Sequence, residues 1–237
     1  MEKFINIAID GDASTGKSTA GKLLAHDLGF KFFSTGSLYR VLTLKCFESG
    51  VDFTSKEQII DALKDVQLKV EYRDETPFVL ANGEEVDEEL LHNEEISGKV
   101  AYVAKHPEIR EKVLRVQRDL AKTNNVVIEG RDIGTVVIPN ADYKFFLTAS
   151  PEVRAERRYK QLIEQGDLTA NKEEILAGII ARDFQDKTRK VSPSLPAKDA
   201  VILDTSDITL FETVLSLQKC VKTENVTQNF DSQIQQM

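Results

Sequence analysis

The segment Gly11-Asp12-Ala13-Ser14-Thr15-Gly16-Lys17-Ser18 carries the spacing G-x-x-x-x-G-K-S, which suits the oxygens of a phosphate chain. Its two glycines let successive backbone amides curl into an anion-binding nest. A helix opening at Lys17 would aim its positive end at the same point. Lys17 can bridge the β- and γ-phosphates of a nucleoside triphosphate, and the Ser18 hydroxyl can join a magnesium shell. Asp12 is out of character, because a carboxylate in an anion nest repels phosphate. Its side chain is expected to point away from the nest.

The acceptor end of such chemistry leaves its own trace. A hydroxyl acceptor benefits from a carboxylate base, and Ser34-Thr35-Gly36-Ser37, after the second predicted strand, has none. A phosphate monoester is already largely dianionic at pH 7 and needs only to be held. Arginine does this best, since its guanidinium fork matches phosphate oxygens in pairs. Arg40 follows Tyr39 just beyond the second strand, and Arg131-Asp132 follow the third. Arg182, Asp186 and Arg189 stand at i, i+4 and i+7 and share a helix face, with Leu176, Ile180 and Phe184 on roughly the opposite one. Arg154, Arg157 and Arg158 cluster on the preceding helix.

The elements that must position these residues alternate. Phe4 to Asp10 reads as a buried strand, Lys17 to Leu28 as a helix closed by Gly29, and Lys31-Phe32-Phe33 as a second strand. Leu38 to Glu48 is helical, and Thr54 with Glu57, or Ser55 with Gln58, offers a capping box for a helix to about Lys64. Leu68, Val70 and Tyr72 then alternate with polar residues. Phe78-Val79-Leu80 follows a turn, and Asn82-Gly83 is a strong hairpin signal before Glu84-Glu85-Val86. Helical texture runs from Asp87 to Lys122. Strands follow at Val126 to Glu129 and Lys144 to Leu147. Ser150-Pro151-Glu152 opens a helix to about Gln165-Gly166, and another spans Lys172 to Lys190. A fifth strand at Ala200 to Asp204 and a helix from Leu210 to Val221 precede a polar tail, Thr223 to Met237. The pattern predicts an α/β fold whose parallel sheet is covered on both faces, interrupted by a small antiparallel insert.

Composition excludes other classes. The 237 residues carry a formal net charge of −8, which argues against a general nucleic-acid binder. The amino terminus has no basic-then-apolar leader and no uncharged run spans a bilayer, so a cytoplasmic protein without membrane attachment is expected. Cys46 and Cys220 have no zinc spacing and are expected to be reduced and structural. His26, His92 and His106 are scattered, which makes a histidine-built metal site improbable.

Thr35-Gly36-Ser37-Leu38-Tyr39-Arg40, Gly130-Arg131-Asp132-Ile133-Gly134-Thr135-Val136-Val137 and Arg182-Asp183-x-x-Asp186-x-x-Arg189 together closely resemble the bacterial cytidylate kinases, to about Val221. The resemblance implies a three-layer nucleoside monophosphate kinase core with a five-stranded parallel sheet (1–65, 104–150 and 171–222). It further implies an acceptor-binding insert (66–103), a helical lid (151–170) and a flexible tail (223–237). It implies magnesium with ATP as phosphoryl donor, CMP and dCMP as acceptors, and a monomer. The implied catalytic residues are Lys17, Arg131, Arg157 and Arg189. ATP would be held by Gly11 to Ser18, Thr19, Arg154 and Arg158. Arg40, Arg131 and Arg189 would grip the acceptor phosphate, Arg110 and Asp132 the cytosine, and Arg182 and Asp186 the sugar hydroxyls, with Thr35 and Tyr39 lining the site. Glu129 would hold magnesium-bound water beside Ser18.

Four positions depart from the family pattern. Asp12 replaces the usual Pro, Ser34 an Asp, Ala101 a serine that helps read cytosine, and Glu129 an Asp. Two alternatives follow: relaxed base choice that admits UMP, or a low-activity paralogue. A P-loop switch or ATPase working through a protein partner is the reading from another class.

Overall fold

The computed structural model describes residues 3–91 and 93–221. Five parallel strands form the central sheet: β1 (Asn6–Gly11), β2 (Lys31–Ser34), β6 (Val126–Glu129), β7 (Tyr143–Thr148) and β8 (Val201–Asp204). Their order is β2-β6-β1-β7-β8. All five strands expected from the sequence form, and the apolar runs of β1, β6 and β7 are buried on both faces. Ile7 and Ile9 join one core with Leu24, Phe32 and Phe145, while Ala8 on the opposite face joins Ile128 and Ile133. The order reverses at β1, so the loop after Gly11 opens into the crevice where ligands of open α/β sheets collect. The carboxyl ends of β2 and β6 arrive there too, with Ser34 registered against Glu129.

Helices α1 (Lys17–Leu28) and α2 (Gly36–Glu48) follow the first two strands, and α3 (Lys56–Leu63) is capped by Ser55 accepting from the Gln58 amide. The insert is a three-stranded antiparallel sheet of β3 (Leu68–Arg73), β4 (Thr76–Ala81) and β5 (Glu84–Glu85). Asn82 and Gly83 have φ of 54° and 88°, the left-handed pair that a tight hairpin needs. Val70, Val79 and Ala81 pack into one core with Phe33, Leu42, Val103 and Val113.

The helical stretch expected from Asp87 to Lys122 is three helices: α4 (Glu88–Leu91), α5 (Glu94–Ala104) and α6 (Pro107–Thr123). The breaks have local causes. Asn93 caps α5 by accepting from the Glu95 amide, and Pro107 keeps His106 extended, so it can only begin a helix. A π-helical turn at Ile133–Val137 was not foreseen. The buried Asp10 carboxylate fixes it, accepting from the Ile133 and Gly134 amides at 2.7 Å each.

Helices α7 (Pro151–Glu164) and α8 (Lys172–Thr188) pack against each other, and a helix over 210–221 closes the described chain. The apolar side of α8 is not a core face. Ile180 and Phe184 are 51% and 68% exposed, and Ile179 is the buried residue. Ion pairs join this helix to α7 instead, through Arg154–Asp183 and Lys172–Glu156. The sheet is also less covered than expected at its edge, where Val201 and Ile202 of β8 stay exposed among the described residues. The expected tail lies outside the described residues.

Candidate functional site

The phosphate-binding loop is shaped by close contact with β7. Gly11 has φ of 140°, and a Cβ there would sit 1.9 Å from the Leu147 carbonyl oxygen. Side chains hold three of the loop's own carbonyls. Lys17 Nζ and Thr15 Oγ1 donate to Asp12, Arg154 Nη1 to Ala13 at 3.3 Å, and Thr205 Oγ1 to Thr15 at 3.4 Å. Gly16, at φ 85°, is the N-cap of α1. Ser14 is half-buried and also left-handed, at φ 58°. Ser18 and Thr19 are exposed at the helix start. Lys17 is 5% exposed, and burial, then the charge of Arg131, pulls its ammonium down to about 7.

The Asp12 side chain meets Thr148 of β7 and Lys187 of α8. Its Oδ2 accepts from Thr148 Oγ1 at 3.2 Å and its Oδ1 lies 3.1 Å from Lys187 Nζ.

Glu129 ends β6 and is buried. Its Oε1 accepts from Ser18 Oγ at 3.0 Å and from Ser34 Oγ. The longer glutamate and the shorter serine thus meet across the paired strand ends. A magnesium ion favours hard oxygen donors and keeps several waters beside substrate phosphates. One hydroxyl and one carboxylate at the mouth of the loop suit that ion.

A second group of cations gathers around Asp186 of α8. Arg131 Nε donates to Asp186 Oδ2 at 3.0 Å, and Arg189 Nη1 to Oδ1 at 3.3 Å. Each carboxylate oxygen therefore accepts from one arginine, and Arg189 Nη2 is buried without a protein partner. Arg40 lies over the first turn of α2, where a Gly36 Cβ would come within 2.7 Å of its Nη1. Its Nε is likewise buried and unpartnered. Burial comes first in lowering Arg40, and the charge of Arg131 acts in the same direction. Lys17 and Arg182, which is exposed, also feel Arg131. These neighbouring cations raise the local positive potential, which suits an anion.

Beside this group, Arg110 Nη2 of α6 pairs with the buried Asp132 carboxylate. Arg110 also stands 5.7 Å from the centre of the Tyr39 ring. Burial, the largest influence, pushes the Tyr39 phenol up to about 12. Thr35 spends its hydroxyl on the Glu129 carbonyl at 3.0 Å, so it shapes the loop and does not face the cleft as a free donor. Ala101 is exposed on α5.

The three arginines of α7 do different things. Arg154 is 2% exposed and is a strut, donating to Ala149 and Ala13 carbonyls and pairing with Asp183 at 2.6 Å. Arg157 donates to Thr205 Oγ1 at 3.1 Å and to the Thr205 and Ile208 carbonyls. Arg158 donates to Gln161 Oε1 at 3.0 Å. Sequence reasoning missed Asp10, Asp183, Lys187 and Thr205, whose partners lie 29 to 190 residues away in the chain. No local period marks them. A cavity of about 510 Å³ between Val66 and Asp119 shares no residue with this site.

The family model described as "Cytidylate kinase" matches residues 7–223. A protein named "Cytidylate kinase" from Bacillus cereus (strain G9842) is 40% identical over 221 residues, spanning 93% of this chain and 97% of its own length. One of the same name from Bacillus thuringiensis (strain Al Hakam) is 39% identical over the same share. Among solved structures, an uncharacterized protein from Eubacterium ventriosum ATCC 27560 aligns with a TM-score of 0.50 at 14% identity. It covers 93% of this chain and 99% of that one, a likeness of fold alone.

Proposed function

The chain belongs to the cytidylate kinase family, and on that premise we propose that it transfers the γ-phosphoryl group of ATP to CMP, giving ADP and CDP. dCMP is proposed as a second acceptor. The observation that carries this reading is the pairing of a phosphate loop with a separate cluster of arginines, two of which keep a buried guanidinium nitrogen without a partner. An acceptor phosphate held by these arginines would relieve both.

In this reading an oxygen of the acceptor phosphate attacks the γ-phosphorus in line. The bond to the β–γ bridging oxygen breaks, and ADP departs with its electron pair. The dianionic acceptor needs no base, which fits a loop whose Ser34 and Thr35 hydroxyls are both donated to Glu129. Arg40, Arg131 and Arg189 hold the acceptor phosphate. Asp186 orients the last two and, with Arg182, addresses the sugar. Arg110 and Asp132 offer the base a donor and an acceptor, with Tyr39 closing the floor. Lys17 spans the donor phosphates and carries charge toward the transferring group. Ser18 and Glu129 would hold magnesium, which neutralises phosphate charge when bound. The proposed lid is 151–170 and the acceptor insert 66–103. Arg157 and Arg158 supply charge from the lid, and Arg154 anchors its base to the loop. The protein is proposed to work as a cytoplasmic monomer without membrane attachment, and its net charge of −8 disfavours nucleic acid as a partner.

Turnover of magnesium-ATP with CMP, dCMP, UMP and AMP, and with no acceptor, tests the reading. CMP is expected to lead. Equal use of UMP would show that Ala101 has relaxed base choice, and hydrolysis independent of any acceptor would overturn the kinase assignment.

A further inference from the structure

Asp12 is the residue of the phosphate loop that the reaction leaves without a task. The strand behind it cannot retreat, because Gly11 is pressed onto Leu147 and the Asp12 amide itself donates to the Leu147 carbonyl at 3.3 Å. The carboxylate is therefore fixed inside an anion-binding loop, with its side chain 5% exposed. Two groups answer it. Thr148 donates a hydroxyl to Oδ2, and Lys187 of α8 brings a cation to Oδ1. A buried carboxylate stripped of its cation is strongly unfavourable, and a neighbouring triphosphate makes it worse.

Lys187 stands between Asp186, which holds Arg131 and Arg189, and Arg189 itself. A second tie runs nearby from the Ala13 carbonyl through Arg154 to Asp183. The last two turns of α8 are thus fastened to the donor loop by side chains of both signs. Lys187 is 44% exposed, so replacing it with an uncharged side chain of similar length leaves no hole in the core.

We propose that Lys187 is a positioning residue of the donor site. It neutralises Asp12 and so keeps the loop attractive to a triphosphate, acting through Asp12 and not by touching the nucleotide. This rests on the loop binding a nucleoside triphosphate, though not on which acceptor is used.

The roles separate in a double-mutant cycle read by calorimetric titration of the whole chain with magnesium-ATP, with no acceptor present. Lys187→Met is expected to raise the Kd at least tenfold, since it strands a negative charge beside the phosphates. In an Asp12→Asn background the same Lys187→Met change is expected to shift the Kd less than threefold, because no charge is left to neutralise. Lys187→Arg should keep affinity within threefold of the parent. If Lys187 instead gripped the nucleotide, Lys187→Met would weaken binding equally in both backgrounds, and the proposal would fall. It would fall also if Lys187→Met bound as tightly as the parent. Should Lys187→Met not fold, recovery of a folded, ATP-binding chain in Asp12→Asn/Lys187→Met supports the pairing, and failure of that double variant to bind refutes it. A parent chain that binds no ATP would fail the functional reading itself.

Discussion

Raising the pH from 7 to 9 strips the proton from Lys17 in the free enzyme, and this sets a measurable pH dependence for nucleotide binding. The Lys17 ammonium ordinarily titrates at 10.5, but burial, followed by the charge of Arg131, brings it to about 7. The free chain therefore binds fewer protons here than the unfolded one between pH 7 and 10.5. The cost of burying this charge is fully present below pH 7 and is relieved as pH rises, so this group makes the empty protein more stable in alkali. A bound triphosphate reverses the balance by favouring the charged form. At pH 8 about one Lys17 in eleven is protonated before binding, so binding should take up about 0.9 proton. If the nucleotide binds only the charged form, the Kd should rise about fifty-fold between pH 7 and 9. Calorimetric titration with magnesium-ATP in buffers of different ionisation enthalpy gives the proton count directly. Lys17→Arg, which stays charged, should abolish the uptake. Binding heats that do not depend on the buffer, or a Kd that changes less than threefold across the range, would refute the account.

Other perturbations have equally specific outcomes. Glu129→Gln removes the charge that Ser18 and Ser34 both serve; turnover should fall ten- to a hundredfold and the magnesium needed for half-maximal rate should rise, as a metal titration would reveal. Asp186→Asn loosens Arg131 and Arg189 together. The KM for CMP should rise about tenfold while the KM for ATP stays within threefold, equivalent to about 1.4 kcal/mol at the acceptor side. Gly11→Ala drives a methyl to 1.9 Å from a backbone oxygen, so it should cost several kcal/mol. Thermal melting would register this as a large drop in Tm or a failure to fold. Asp10→Asn places an amide opposite two N–H donors and should cost about 1–3 kcal/mol, measurable by urea unfolding.

Much of this protein was legible before any coordinates. The five parallel strands were visible because buried strands are written as unbroken Val, Ile and Phe runs, and the Asn82-Gly83 hairpin because only a few residues accept two left-handed φ angles in a row. The phosphate loop was visible for a similar reason: a nest built from consecutive backbone amides leaves a contiguous motif. The chemistry of a phosphate acceptor pointed to arginines, and the family resemblance singled out Arg40, Arg131 and Arg189 among them.

What the sequence did not determine is who pairs with whom across the chain. Arg154 reads as one of three equivalent lid arginines, yet its neighbours make it a buried strut between Ala13 and Asp183. The sequence places Ile180 and Phe184 together on one apolar face of α8, yet that face lies in solvent while ion pairs join the helix to α7. Nothing local marks Lys187 as the counter-ion of Asp12, 175 residues away, because electrostatic pairing depends on distance in space and leaves no period along the chain. Backbone conformation and burial pattern are short-range properties that residue types encode directly. The neutralisation of Asp12 inside its own phosphate loop exists only once α8 has been folded across it.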